Sequence, residues 1–161
     1  MTALFVPAGT HRFGATVQMW GANLFETKVS GEDSDGQLFV GEIRDVTGFG
    51  PPRHLHHEQD EWFYVTKGSF AIEVGAEQYE AKVGDSLLAP RKVVHTWAPL
   101  GRDPCSMIFT LQPAGDFDGF VRDASAMGRL PTPEEANAIF EDRGMQIVGP
   151  PLDVVTVRFT G

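Results

Sequence analysis

With a single cysteine, Cys105, the chain can form no internal disulfide, so packing and hydrogen bonding must stabilise it. The residues around it, Pro104-Cys-Ser-Met-Ile-Phe-Thr-Leu111, read as a strand, and the thiol is expected as a small buried apolar group. Basic residues are scarce too. Thirteen lysines and arginines stand against 22 acidic residues, a net charge of −9, and no basic cluster offsets it. Such a surface repels phosphate backbones, so nucleic acid is not an expected partner. No apolar run approaches the roughly 20 residues that span a bilayer, and the N-terminal Met-Thr-Ala-Leu-Phe-Val-Pro has no basic region ahead of an apolar one. No membrane partner is expected, and by default the expected location is cytoplasmic.

Turn-formers, in contrast, are plentiful: 18 glycines and 11 prolines in 161 residues favour many short strands over long helices. Leu38–Val46, Trp62–Thr66, Ser86–Ala89 and Met107–Leu111 are strand-like, and Phe70, Ile72 and Val74 alternate with Ala71 and Glu73 as in a half-buried strand. Lys67-Gly68, Gly75-Ala-Glu and Val83-Gly-Asp85 punctuate them. Further strands are expected at Thr16–Trp20 and Leu24–Val29, with Gly31–Gly36 a polar loop. The chain reads as one all-β domain, residues 1–161, with its core at about 37–112.

The tail, about 113–145, changes period. Phe117, Phe120, Val121 and Ala124 form an amphipathic helical stripe. Thr132-Pro133-Glu134-Glu135 is a capping box with proline at the first helical position; Ala136, Ile139 and Phe140 give the second helix an apolar face, and Gly144 ends it. The acidic side chains of both helices oppose DNA, so a packing role against the sheets is expected. After Gly149-Pro-Pro151, the alternation Val155, Val157, Phe159 predicts a last strand.

The chemistry concentrates in Gly48-Phe-Gly-Pro-Pro-Arg-His54-Leu-His56-His57-Glu58-Gln-Asp60-Glu61. On a strand, side chains at i and i+2 share a face, so His54 and His56 project together while His57 points away. Glu61 on the next strand is placed to add a carboxylate, and His95, after Gly84-Asp-Ser-Leu-Leu-Ala-Pro90, to close the set. Neutral imidazoles with one carboxylate suit one divalent transition metal (Fe, Mn, Ni, Co, Cu or Zn) and leave positions open. Phe63 and Val65 share the face of Glu61, Trp97 that of His95, and Met107 and Phe109 alternate likewise. These five are the candidate substrate-pocket residues, with ordinary core as the competing reading. His11 is isolated and expected to be structural.

Gly48, His54, His56, Glu61 and Gly68 fit the first motif of the cupin superfamily, and Gly84, Pro90 and His95 fit the second, which the chain therefore resembles. Lys92 stands where that second motif has glycine and Pro99 where it has asparagine; neither is a ligand position. The Gly-Pro-Pro-x-His-x-His-His-x-x-Asp-Glu-x-Phe-Tyr-Val run is similar to single-domain quercetin-dioxygenase-like cupins. The resemblance implies an antiparallel jelly-roll β-barrel, here with an N-terminal strand extension and two short C-terminal α-helices, and His54, His56, Glu61 and His95 as metal ligands. The leading expectation is a dioxygenase acting on a small phenolic, enol or diketone-type substrate, with Glu61 as the catalytic base. A non-redox metal-dependent isomerase, decarboxylase or hydrolase, and a non-catalytic metal- or small-molecule-binding protein, stay open as alternatives. Trp62 and Tyr64, facing away from Glu61, suit a sheet-to-sheet contact, and a homodimer is expected.

Overall fold

The computed structural model describes residues 3–160. Among them eleven strands and two helices follow in order: β1 (Val17–Met19), β2 (Asn23–Val29), β3 (Phe39–Val46), β4 (Pro52–His56), β5 (Asp60–Lys67), β6 (Ser69–Val74), β7 (Glu77–Lys82), β8 (Ser86–Ala89), β9 (His95–Pro99), β10 (Cys105–Gln112), α1 (Phe117–Met127), α2 (Pro133–Asp142) and β11 (Met145–Pro151). One antiparallel sheet has the order β1-β2-β3-β10-β5-β8 and the other β11-β4-β9-β6-β7. Face to face they make the expected all-β jelly roll. No helix of the described residues is long and apolar enough to cross a membrane.

Period-two patterning fixes the register. Leu111, Phe109 and Met107 of β10 stand opposite Glu61, Phe63 and Val65 of β5, and opposite Phe39, Gly41 and Ile43 of β3. A one-residue slip would turn the apolar row to solvent. Phe25, Phe39 and Phe109 pack ring on ring, with centroids 5.8 to 6.4 Å apart. Gly41 makes room for them: a Cβ there would lie 2.7 Å from Phe25 and 2.8 Å from Phe109. Phe70, Ile72 and Trp97 fill the space from the second sheet. Each such side chain contributes on the order of 2 kcal/mol by leaving water.

Both helices form as their sequences predict. Asp116 caps α1 by accepting from the Gly119 amide, and the Thr132–Glu135 capping box is present on α2. Arg143 ties the pair together through Asp116 and Asp123.

Two expectations are corrected. β6 is not half-buried; Ala71 and Glu73 are buried along with Phe70 and Ile72. The outer face of this sheet is covered because Leu152 and Val157 pack on Ala71 and Ala98, and Glu73 is paired with Arg53 and hydrogen-bonded by Gln78. The final strand is also not at Val155–Phe159. That segment runs as turn and coil, with Val155 and Phe159 exposed, and bonds to the rim of β7 through the Arg158 and Thr160 amides and Gln78. The strand is β11, Met145–Pro151, where Gly149 and two prolines read as a turn. It lies on a sheet edge, where proline's missing donor leaves no ladder bond unmade.

Candidate metal centre

Three strands aim the four candidate ligands at one point. His54 and His56 stand on β4, the Cα of His54 pairs with that of His95 on β9, and Glu61 opens β5 in the facing sheet. One donor atom from each of the four lies within 4.8 Å of the others, and all four residues are buried. His57 is exposed, its amide bonded to the Gly144 carbonyl. His11 is structural: its Nδ1 accepts from the Thr27 amide.

The hydrogen bonds fix the imidazole tautomers. Nδ1 of His54 donates to the Pro52 carbonyl at 2.8 Å and Nδ1 of His95 to the Val93 carbonyl at 2.9 Å. Nδ1 of His56 meets Oε1 of Gln59 at 2.9 Å, and the Gln59 amide is oriented because its Nε2 donates to the Ala114 carbonyl. Each of these acceptors requires a proton on Nδ1, so in the neutral rings the Nε2 lone pairs are the free donors. Glu61 Oε2 lies 2.8 Å from Nε2 of His95 and 3.2 Å from Nε2 of His56. A lone pair against a carboxylate repels unless positive charge lies between them, and a divalent cation supplies it. The donor set thus fits a metal.

The electrostatics show the same demand for positive charge beside Glu61, which a bound cation would meet in place of a proton on His56. Burial alone would raise the pKa of Glu61, but hydrogen bonds and attraction from His56 and His95 outweigh it, so the carboxyl is held well below its usual range. His54 is driven well below an ordinary histidine, first by burial and then by the neighbouring His95 and His56. For His56, burial is outweighed by Glu61, and its pKa rises. An ionised carboxylate beside a neutral His54 is a ligand arrangement at neutral pH.

Gln59 holds the His56 ring from a buried loop position that nothing in its local pattern marks. Gln59→Leu leaves the Nδ1 proton without an acceptor. The expected result is a 10- to 100-fold loss of metal affinity, read by competition with a chromogenic chelator, with the fold retained by circular dichroism.

A cavity of about 90 Å³ opens above the ligands. His54, His56 and Glu61 are on its floor, and its walls include Met19, Trp20, Phe25, Phe117, Phe120 and Phe140. Of the five pocket residues expected from sequence, Trp97 and Phe109 line it. Phe63, Val65 and Met107 are in the closed core instead. Each two-residue step along a strand is about 6.6 Å, so Val65 and its neighbour Met107 lie some 13 Å along from Glu61. Phe63 is sealed behind the ring of His95, 6.1 Å away.

The cupin domain family matches residues 43–111, a span that includes all four ligands. A solved RmlC-like cupin from Shewanella frigidimarina aligns with 72% of this chain and 96% of its own, at a TM-score of 0.59 and 20% identity. Residues 43–111 thus carry the sequence pattern of a cupin domain, on a fold shared with solved cupins. KdgF from a Halomonas species shares the fold at a TM-score of 0.53, 22% identical over 60% of this chain and 85% of its own. The oxidoreductase iacF of Pestalotiopsis fici is 30% identical over 117 residues, 63% of this chain. That alignment spans 57% of the fungal protein's length.

The chain departs from the second cupin motif at Lys92, and the structure shows how this is accommodated. Lys92 adopts φ 66°, the left-handed conformation natural to glycine, and its amide donates to the His56 carbonyl at 2.7 Å. A side chain there is strained. Lys92→Gly is expected to raise stability by about 0.5–1 kcal/mol in urea denaturation, less than the strain relieved because glycine also gains freedom when unfolded.

The roof comes from outside the matched region. Phe140 of α2 meets His54 edge-on at 5.3 Å, and Phe117 of α1 stacks toward His56 at 6.5 Å. The helices therefore pack on the sheets, as expected, and also wall the site. Their helical stripe predicts burial but not what they would cover.

Proposed function

We propose that this cupin is a metal-dependent dioxygenase acting on a small phenolic, enol or diketone-type substrate. The reading is carried by a buried donor set at the floor of an apolar cavity on whose described walls no lysine or arginine stands. Such walls favour flat, uncharged molecules and give no counter-charge to phosphorylated or polyanionic ones. The oxidoreductase name of the fungal relative supports the redox character.

A divalent transition metal held by His54, His56, Glu61 and His95 would supply Lewis acidity toward a substrate oxygen and a route for electrons to dioxygen. The chain's own residues do the rest. Phe109, Phe117, Phe120 and Phe140 sandwich the substrate ring and exclude water. Glu61 Oε2 faces His56 and His95, while no hydrogen bond from the described residues reaches Oε1. Oε1 is the atom that takes the substrate's hydroxyl proton, which makes the substrate electron-rich.

Elemental analysis of gently purified protein, followed by oxygen-electrode screening of catechols, flavonols and 1,3-diketones, tests this. Oxygen uptake matching substrate loss, with both atoms of labelled dioxygen in the product, is the expected result. Turnover that continues under argon would move the assignment to Lewis-acid isomerisation, decarboxylation or hydrolysis. A metal whose removal costs stability, in a protein inert to the whole panel, would mark a binding protein.

The homodimer belongs to the same proposal. Trp62 and Tyr64 stack at 5.7 Å on the outer face of the six-stranded sheet. Leu88, opposite Trp62 on β8, is 57% exposed. A second copy covering this patch would remove it from water. Leu88→Asp is expected to shift sedimentation from dimer to monomer with metal content unchanged.

A further inference from the structure

The tip of the β1–β2 hairpin carries a conformational oddity. Met19, Trp20, Gly21 and Ala22 make a β-turn, closed by the Ala22 amide on the Met19 carbonyl at 3.1 Å, with φ 51° at Trp20 and 67° at Gly21. Two positive φ angles are the demand of a type I′ turn, met by asparagine, aspartate or glycine. Gly21 suits it, and a Cβ there would lie 2.5 Å from the Gly128 carbonyl at the end of α1. Tryptophan at the first central position is strained. The Trp20 amide donates to the Ala124 carbonyl of α1 at 2.8 Å, pinning the tip to the helix.

The strained residue lines the cavity above the ligands. Its indole lies edge-on to Phe120 at 5.7 Å and stacked with Phe140 at 6.3 Å. Its Nε1 is buried and has no hydrogen-bond partner among the described residues. Buried donors are nearly always paired, and indole Nε1–H can only donate. An unmet donor and a strained backbone at one wall residue imply an acceptor that arrives with the ligand.

We propose that Trp20 is a specificity-determining residue whose indole N–H donates to an acceptor oxygen of a flat substrate bound by a second oxygen at the metal centre. The proposal rests on the metal-centre reading above and names its substrate class: an aromatic or conjugated molecule with two separated oxygens. Because no lysine or arginine lines the described cavity, the remote oxygen belongs to a carbonyl, hydroxyl or ether and not to a carboxylate or phosphate.

The test uses the cobalt-loaded protein and two probes, 3,4-dihydroxybenzaldehyde and 4-methylcatechol. Both offer the same diol to the metal, and only the aldehyde carries a remote acceptor. Affinities are read from the visible cobalt spectrum in wild type and Trp20→Phe, so that differences in diol acidity cancel between the proteins. The expected result is that the aldehyde's advantage over the methyl probe shrinks about fivefold in the variant, as for one lost hydrogen bond. An unchanged ratio, with both probes perturbing the cobalt spectrum, overturns the Trp20 proposal and leaves the metal centre standing. No cobalt at the site, or no response to either probe, overturns the metal-centre reading and this proposal with it.

A second readout needs no variant. In the zinc-loaded, ¹⁵N-labelled wild type, the Trp20 indole signal is identified by its contacts with the Phe120 and Phe140 rings. It is expected to move downfield with the aldehyde and to hold still with 4-methylcatechol; equal response to both probes counts against the hydrogen bond.

Discussion

Glu61→Ala is expected to abolish turnover while sparing much of the metal. Three imidazoles with fixed Nε2 donors remain in that variant, and three neutral nitrogens still make a serviceable site. Loss of the carboxylate takes away the proposed proton acceptor and the negative charge between His56 and His95 together. Removing a positioned base costs roughly 10²–10⁴-fold in rate, and the lost ligand adds to this. Metal content by elemental analysis should therefore fall several-fold at most, while oxygen uptake falls by about three orders of magnitude. A variant that binds no metal as isolated, yet turns over normally once remetallated, would remove Glu61 from the mechanism. Glu61→Gln separates the two roles, because the amide keeps an oxygen donor but cannot accept the proton at neutral pH.

The second large effect is on stability. Phe140 is 2% exposed and is the one buried residue of α2. Its ring meets Trp20, Phe120 and His54 at 5.1 to 6.3 Å. Truncation to alanine removes that anchor and leaves a void beside the ligands. A loss of about 3–5 kcal/mol is expected in urea denaturation, with α2 amides losing hydrogen-exchange protection ahead of the sheets. Metal content should hold in the folded protein, since the ligands sit on strands that do not depend on α2. A cost below about 1 kcal/mol would show that α2 is not held down by this ring.

These two residues mark what was legible in the chain. The ligand set could be read because strand geometry turns i, i+2 spacing into a shared face, and one distant histidine completes it. The capped helices were legible because their signals are local. Gln59 was not: its importance lies in a hydrogen bond to His56 and another to Ala114, a residue 55 positions away. The pocket was half legible. Alternation identifies inward-facing residues, yet it cannot say which end of the sandwich is open, so Val65 and Met107 look like Trp97 in the sequence. The last strand was misplaced because the valine alternation around Val157 has the right period but packs over a sheet face, while β11 carries the prolines that an edge permits.

The centre and its roof draw on separate stretches of the chain. The floor is set by β4, β5 and β9, with two ligand rings steered by carbonyls two residues upstream in the backbone itself. The ceiling is assembled from Met19–Asn23 and from Phe117–Met145, far apart in sequence and joined where the hairpin tip meets α1 and Phe140 of α2. Selection can therefore redraw the ceiling by changes in the hairpin or helices while the floor keeps its geometry. In evolutionary terms the strands that hold the candidate ligands and the cover above them can change independently.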